Sequence, residues 1–360
     1  MSSNGRPMTD RSTQHEATPL RTIDLRSDFL THATPAMAAA AGAAADSRCF
    51  GLREDPWQRR LEARIAAMLG KEDALVFPTC TMANTVGLML NAPPGSTVIT
   101  QPGAHVLVSE ANAGAALGGL RMTAVEGDGA MPPLSAWQAA LSVASDAQRA
   151  PTALAVLENT HTRSGGVALP QGYAEAVAAI ARGAGTCLHL DGARLLYACC
   201  ALATSPAALA GPFDTVSVSL NKALGSPIAA ALAGTASAIE GALPLRQRLG
   251  GGLRPTGAAS AATLAGLDDL SHIAEANALA AKLAEGLAGL PGVQVEPPQT
   301  NLVLVKMAAP WKAAALCERL AAAGVLGLPV GADRVRFATY RGITAEDIDY
   351  VIAQMRELLR

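Results

Sequence analysis

Lysine is scarce in this 360-residue chain, supplying 5 of the 28 basic residues, and aromatic residues make up only 3%. No apolar run approaches the roughly 20 residues of a membrane-crossing helix, because Gly, Pro or a charged residue interrupts each one. Net charge is −2 with no long run of either sign, so the electrostatic footprint of nucleic-acid binding is missing. The six cysteines (Cys49, Cys80, Cys187, Cys199, Cys200 and Cys317) contain no C-x-x-C pair. In an intracellular chain they read as reduced, buried small side chains and suggest no metal site. Residues 1–20 carry charge and no apolar h-region, so they read as a disordered leader and not as a secretory signal. A cytoplasmic location follows by default.

Half of the residues are hydrophobic, enough for a large core shared between one large and one small domain. From about 55 to 240, strand-like and helix-like segments alternate. Short apolar runs near 74–77, 97–100, 122–125, 152–157, 187–190, 216–219 and 228–232 read as strands. Segments near 57–69, 134–145 and 170–183 have helical spacing. Such alternation predicts an α/β fold whose mainly parallel sheet is covered on both faces, in a large domain over 21–250. After Gly250-Gly251-Gly252 the texture changes. A helical stretch over 256–289, strands near 293–295, 302–306 and 335–338, and helices near 310–323 and from 344 predict a smaller α+β domain over 251–360.

In open α/β sheets, ligands sit beyond the carboxyl ends of the strands. Two such ends are informative. The run His189-Leu190-Asp191-Gly192-Ala193-Arg194 stops at an acid, and Ser219-Leu220-Asn221-Lys222 stops at a lysine. Singly, the acid reads as a helix cap and the lysine as a solvated charge. Together they fit a pyridoxal phosphate (PLP) site, with the lysine binding the aldehyde and the acid keeping the pyridine nitrogen protonated. A lysine in an apolar surround should have a depressed pKa and be nucleophilic.

Other strand ends extend the pattern. Thr79-Cys80-Thr81 opens a helix, where hydroxyls and free amides suit a phosphate, although a plain threonine cap also explains it. His105 follows the 97–100 strand and could stack on a flat ring. His161 follows the 152–157 strand and could act as a general base. Arg194, three residues from Asp191, could be an ordinary surface ion pair. Arg336, in an apolar strand, and Arg254, after a glycine run, suit a planar bidentate clamp on a substrate carboxylate.

The order of these pieces resembles the L-threonine aldolases of the β-eliminating lyase family, among the fold-type I PLP enzymes. The matching segments are Ile23-Asp24-Leu25-Arg26-Ser27-Asp28, Glu54-Asp55-Pro56, Thr81-Met82-Ala83-Asn84, Glu158-Asn159-Thr160-His161, the Asp191 and Lys222 runs, Leu249-Gly250-Gly251-Gly252-Leu253-Arg254, and Val335-Arg336-Phe337-Ala338-Thr339. The resemblance implies that Lys222 is the Schiff-base lysine, Asp191 the pyridine partner and His105 the ring stacker. It implies a phosphate cup of Thr79, Cys80 and Thr81, with Arg254 reaching in from a neighbouring subunit of a dimer or tetramer whose sites lie at the interface. Ser27, Arg194 and Arg336 would hold the substrate carboxylate, and His161 would sit by its hydroxyl. Cys80, Phe50 and Tyr340 depart from the family pattern and bear on side-chain specificity.

The implied reaction is retro-aldol cleavage of a β-hydroxy-α-amino acid, L-threonine or L-allo-threonine being simplest, to glycine and an aldehyde. His161 or His105 would take the hydroxyl proton. β-Elimination or racemisation on the same cofactor is the alternative, and a non-catalytic PLP-binding protein a third.

Overall fold

The computed structural model describes residues 22–142 and 148–360. The leader expected over 1–20 lies outside them. The strands are β1 (Ile23–Asp24), β2 (Asp73–Phe77), β3 (Thr97–Thr100), β4 (Arg121–Ala124), β5 (Thr152–Glu158), β6 (Cys187–Gly192), β7 (Thr215–Ser219), β8 (Ala230–Gly234), β9 (Val293–Val295), β10 (Leu302–Met307), β11 (Val325–Leu326), β12 (Leu328–Pro329) and β13 (Arg334–Ala338).

Seven of them form one sheet in the order β2-β8-β7-β6-β5-β3-β4. Only β8 runs antiparallel to its neighbours, so the sheet is mainly parallel as the alternating pattern predicts. Strands β7 and β8 are buried along their whole length, which is why they read as small or apolar runs without alternation. Their carboxyl-end register matters for function. Glu158 on β5 pairs with Asp191 on β6, and Asp191 with Ser217 on β7. Three polar residues thus stand in a row across the middle of the sheet.

A second sheet, β12-β13-β10-β9, is antiparallel and backs onto its own apolar core. The two cores are joined by helices. The stretch expected as one helix over 256–289 is two, Gly257–Leu267 and Ser271–Leu287. The break is local chemistry: the Asp269 carboxylate accepts from the Ser271 amide at 2.9 Å and its hydroxyl at 2.7 Å, starting a new helix. The second helix bridges both cores, with Ile273 and Ala276 in the large one and Leu279, Leu283 and Leu287 in the small one. Strand β1 pairs with β11, and Ile23 and Leu25 join the small core. The N-terminal segment is thereby anchored on one side of the molecule and led towards the carboxyl ends of the large sheet.

Two short devices aim side chains at that edge. Thr79 caps the helix Cys80–Asn91, its hydroxyl accepting from the Met82 amide at 3.1 Å. Lys222 lies in the five-residue helix Leu220–Leu224, closed by Gly225 at φ 68°. A side chain there would be strained by the left-handed backbone and would run into the carbonyl oxygen of His32.

Candidate active site

Between the two sheets lies a cavity of about 490 Å³. The large sheet and its loops contribute His105, Thr162, Arg163, Arg194 and Lys222 to its lining, and the small sheet contributes Leu304, Leu328, Pro329, Arg334 and Arg336. Phe29, from the N-terminal segment, completes one side.

Lys222 is 4% exposed. Its Nζ stands 5.0 Å from the centre of the Phe29 ring. Burial, and then the charge of Arg194, push its amine below the ordinary lysine value. A larger neutral fraction makes it a better nucleophile. Its carbonyl oxygen accepts from the Thr31 hydroxyl at 2.7 Å, which fixes the short helix against the N-terminal segment.

Asp191 is buried at the end of β6. Its Oδ1 accepts from the Ala193 amide at 3.1 Å and its Oδ2 from Asn84 Nδ2 at 3.0 Å. The same Asn84 amide donates to Glu110 Oε1 at 2.8 Å, and Glu110 Oε1 also meets His105 Nδ1 at 2.8 Å. Asn84 Oδ1 is held by the Ser217 hydroxyl and lies 3.2 Å from His189 Nε2. Burial pushes the Glu110 carboxyl up, while the bond to Glu110 raises His105 against the opposing effect of its own burial. Glu158 orders the surrounding chain, accepting from the His105 amide at 2.7 Å and the Thr162 amide at 2.9 Å.

Arg194 does not stand alone, as the strand-end pattern left open. Asp28 grips it side-on, with Nε–Oδ2 2.7 Å and Nη2–Oδ1 2.8 Å, while Nη1 donates to the Thr162 hydroxyl at 2.9 Å. Three of the guanidinium's five N–H donors are thus committed inside the protein. Burial opposes the charge of Asp28, yet Arg194 brings its carboxyl down to about 2. Arg336, on β13, has no carboxylate partner among the described residues. Its Nη2 donates to the Arg26 carbonyl at 2.9 Å and its buried Nε has no partner. Burial, then the nearby Arg194, push its guanidinium down to about 10.

Other expected residues lie off this cavity. His161 is 1% exposed, with Nδ1 on the Ser164 hydroxyl at 2.9 Å and Nε2 buried without a partner. It does not line the cavity, whereas its neighbours Thr162 and Arg163 do. Ser27 caps the turn Asp28–Leu30 through the Phe29 amide at 3.3 Å and is not part of the lining. Cys80 has its thiol 4.0 Å from the Ser217 hydroxyl, and burial pushes that thiol up. Thr81 follows it in the first turn of that helix. Arg254 is turned away, donating to the Phe50 carbonyl at 3.0 Å. Phe50 itself is 87% exposed, and Tyr340 sends its hydroxyl to the Asp24 carbonyl at 2.6 Å. Neither Phe50 nor Tyr340 touches the cavity within this chain.

The donor set suits PLP. An amine with a lowered pKa, an acid at the end of the neighbouring strand held by a helix asparagine, an imidazole and a helix N-terminus all gather at the carboxyl edge of one sheet. The sequence profile of the beta-eliminating lyases matches residues 24–310.

The chain belongs to the beta-eliminating lyase family.

Within and near that family, a low-specificity L-threonine aldolase of Arabidopsis thaliana is 36% identical, covering 94% of this chain and 97% of that one. Among solved structures, the threonine aldolase of Leishmania major superposes with a TM-score of 0.80 at 19% identity, covering 94% of this chain and 99% of its own. A serine palmitoyltransferase of S. paucimobilis, solved with bound PLP and myriocin, reaches 0.75 at 19% identity, covering 93% and 87%. These likenesses establish the fold as that of the fold-type I PLP enzymes. No helix among the described residues is long and apolar enough to cross a membrane.

Four residues that family-free reading of the chain left unassigned carry much of the site: Asp28, Asn84, Glu110 and Glu158. Asp28, Asn84 and Glu158 fall inside segments that match the family, which was the available signal. Glu110 falls between helical pieces and carries no local mark.

Proposed function

We propose that this chain is a PLP-dependent aldehyde-lyase that cleaves a β-hydroxy-α-amino acid of the L-threonine type to glycine and an aldehyde. The observation that carries the reading is the buried Lys222 amine, facing a cavity that also receives Arg336, whose guanidinium has no carboxylate partner among the described residues. When bound, PLP supplies a sink for the electron pair left on Cα as the Cα–Cβ bond breaks.

The chain's own residues divide the remaining work. Lys222 would hold the cofactor's aldehyde carbon, Asp191 its ring nitrogen and His105 its ring face, with Thr79, Cys80 and Thr81 beside the phosphate. Arg336 takes the substrate carboxylate, and the two uncommitted donors of Arg194 assist it. A fixed carboxylate orients the Cα–Cβ bond. Removal of the hydroxyl proton falls to His105, because it lines the cavity and Glu110 steadies its Nδ1. The hydroxyl oxygen then becomes the carbonyl of the departing aldehyde, and Cα regains a proton as glycine. The same reading takes the protein to be a cytoplasmic homotetramer, with Arg254 reaching a neighbour's phosphate site. The exposed Phe50 beside Arg254 supports a partner surface there.

Purified protein given PLP and L-threonine should release glycine and acetaldehyde in equal amounts. Release of 2-oxobutanoate and ammonia without aldehyde would overturn the aldol reading in favour of elimination. Lys222→Ala should lose the visible absorbance of the bound cofactor and reduce cleavage by about 10³-fold or more.

A further inference from the structure

The mouth of the cavity holds more positive charge than the reaction uses. Five lining side chains are Arg163, Arg194, Lys222, Arg334 and Arg336, and no lining residue is acidic. Lys222, Arg194 and Arg336 have assigned work; Arg163 and Arg334 have none. Both also line a second, wider cavity of about 860 Å³, which shares Leu304 as well. The two spaces therefore adjoin at these residues.

The small sheet shows how the charge is arranged. Residues two apart on a strand share a face, so Arg334 lies on the same side of β13 as Arg336. Across the ladder, Leu304 stands opposite Arg336 and Lys306 opposite Arg334. Lys306 and Arg334 are thus like charges directly opposed, an arrangement that destabilises a sheet unless an anion lies between them. Among the described residues no carboxylate lies within 4.0 Å of Arg163, Lys306 or Arg334. Asp128 and Glu296 line the wider cavity but pair with none of the three. Leu304 and Leu328 flank Arg336 across the ladder, and with Pro329 they make the wall beside it apolar. A ligand matching the wall has an anion at one end, a short apolar middle and a second anion at the other.

We propose that Arg163 and Arg334, with Lys306 behind them, form a distal anion subsite, so that β-hydroxy-α-amino acids ending in a second carboxylate are preferred over neutral ones of the same length. This rests on the aldol reading. Arg336 holds the α-carboxylate, the β-substituent crosses the apolar wall, and its terminal carboxylate reaches the outer guanidinium groups. The bond broken is still Cα–Cβ, and the second product becomes an aldehyde that carries the distal carboxylate.

The test compares 3-hydroxyglutamate with 3-hydroxynorvaline, which has the same carbon chain with a terminal methyl. For the PLP-loaded enzyme, kcat/KM from glycine release should favour the acidic substrate by about tenfold or more, as charge-assisted hydrogen bonds allow. Added salt should shrink that preference. The ratio should fall by a similar factor in an Arg163→Gln/Arg334→Gln double variant. An independent readout needs no turnover: glutarate should raise the Tm of the parent protein, and neither butyrate on the parent nor glutarate on the double variant should do so. Equal kcat/KM for the two substrates, or a ratio and a glutarate shift unchanged in the variant, would overturn the subsite. If threonine and both test substrates release no glycine, the aldol reading fails instead, and the glutarate shift still decides whether the anion site exists.

Discussion

On the large-sheet side, the polar side chains behind His105 are held by one another. Asn84 bridges Asp191 and Glu110, Ser217 and His189 hold Asn84, and Glu110 holds His105. On the wall built by the small sheet, Arg336 lacks a partner for its buried Nε, and Lys306 and Arg334, like Arg163 on the loop after β5, have no carboxylate within 4.0 Å among the described residues. The first wall is complete before any ligand arrives, as suits a permanently held cofactor. The second is left short of negative charge, as suits a substrate that comes and goes. Preorganisation lies on one side and vacant affinity on the other. Asp28 links them: it comes from the N-terminal segment anchored in the small core, yet it holds Arg194 at the edge of the large sheet.

That linkage gives the largest expected change in stability. Asp28→Ala leaves the buried Arg194 charge unpaired, which costs about 3–5 kcal/mol. Denaturant unfolding should show the loss, and cleavage should fall with it because the clamp is no longer steadied. The pH dependence follows in sign. The Asp28 carboxyl is depressed from near 4 to about 2, so its contribution is fully present above pH ~4 and drains away as pH falls towards 2. Acid unfolding of Asp28→Asn should lack this component. A variant as stable as the parent would break the link between the two walls.

Arg336→Leu separates the walls most cleanly. Loss of a charged hydrogen-bonding partner should lower kcat/KM for threonine by about 10–100-fold, mostly through KM. Tm should hold steady or rise, because the substitution removes a buried donor without a partner. Asn84→Leu should do the converse at the cofactor wall. It strands the Asp191 and Glu110 oxygens and costs about 1–3 kcal/mol, read as a lower Tm together with weaker cofactor retention. If Arg336→Leu were the less stable of the two, the two walls would not differ in this way.

The smallest effect concerns pH. Glu110→Gln removes the acceptor that raises His105, so the acid limb of the kcat/KM profile should move to lower pH. An unmoved limb would assign the titrating base to another group.

Much of the fold was legible because alternating apolar strands and periodic helices are local patterns. The break at 268–270 was not, because alanine-rich sequence continues smoothly through it while Asp269 starts a new helix by bonding Ser271. Asp191 and Lys222 were legible because each ends an apolar run, where a charged group is conspicuous. Glu110 was not, since an acid between short helical pieces looks like any solvated charge until Asn84 and His105 close on it. His161 misled for a related reason: its place after β5 is the right one, but its ring turns behind the wall that Thr162 and Arg163 form.

By itself, then, the sequence determined the order of strands and helices, the lysine and acid at neighbouring strand ends, and the family to which the chain belongs. Those are short-range facts, written in hydrophobic periodicity and in where it stops. Only the tertiary structure decided that Asp28 occupies Arg194, that Arg336 meets no carboxylate among the described residues and that Lys306 faces Arg334 across the ladder. Each of these joins residues far apart in the chain, and whether a charge is matched or left open depends on which distant groups the fold brings beside it.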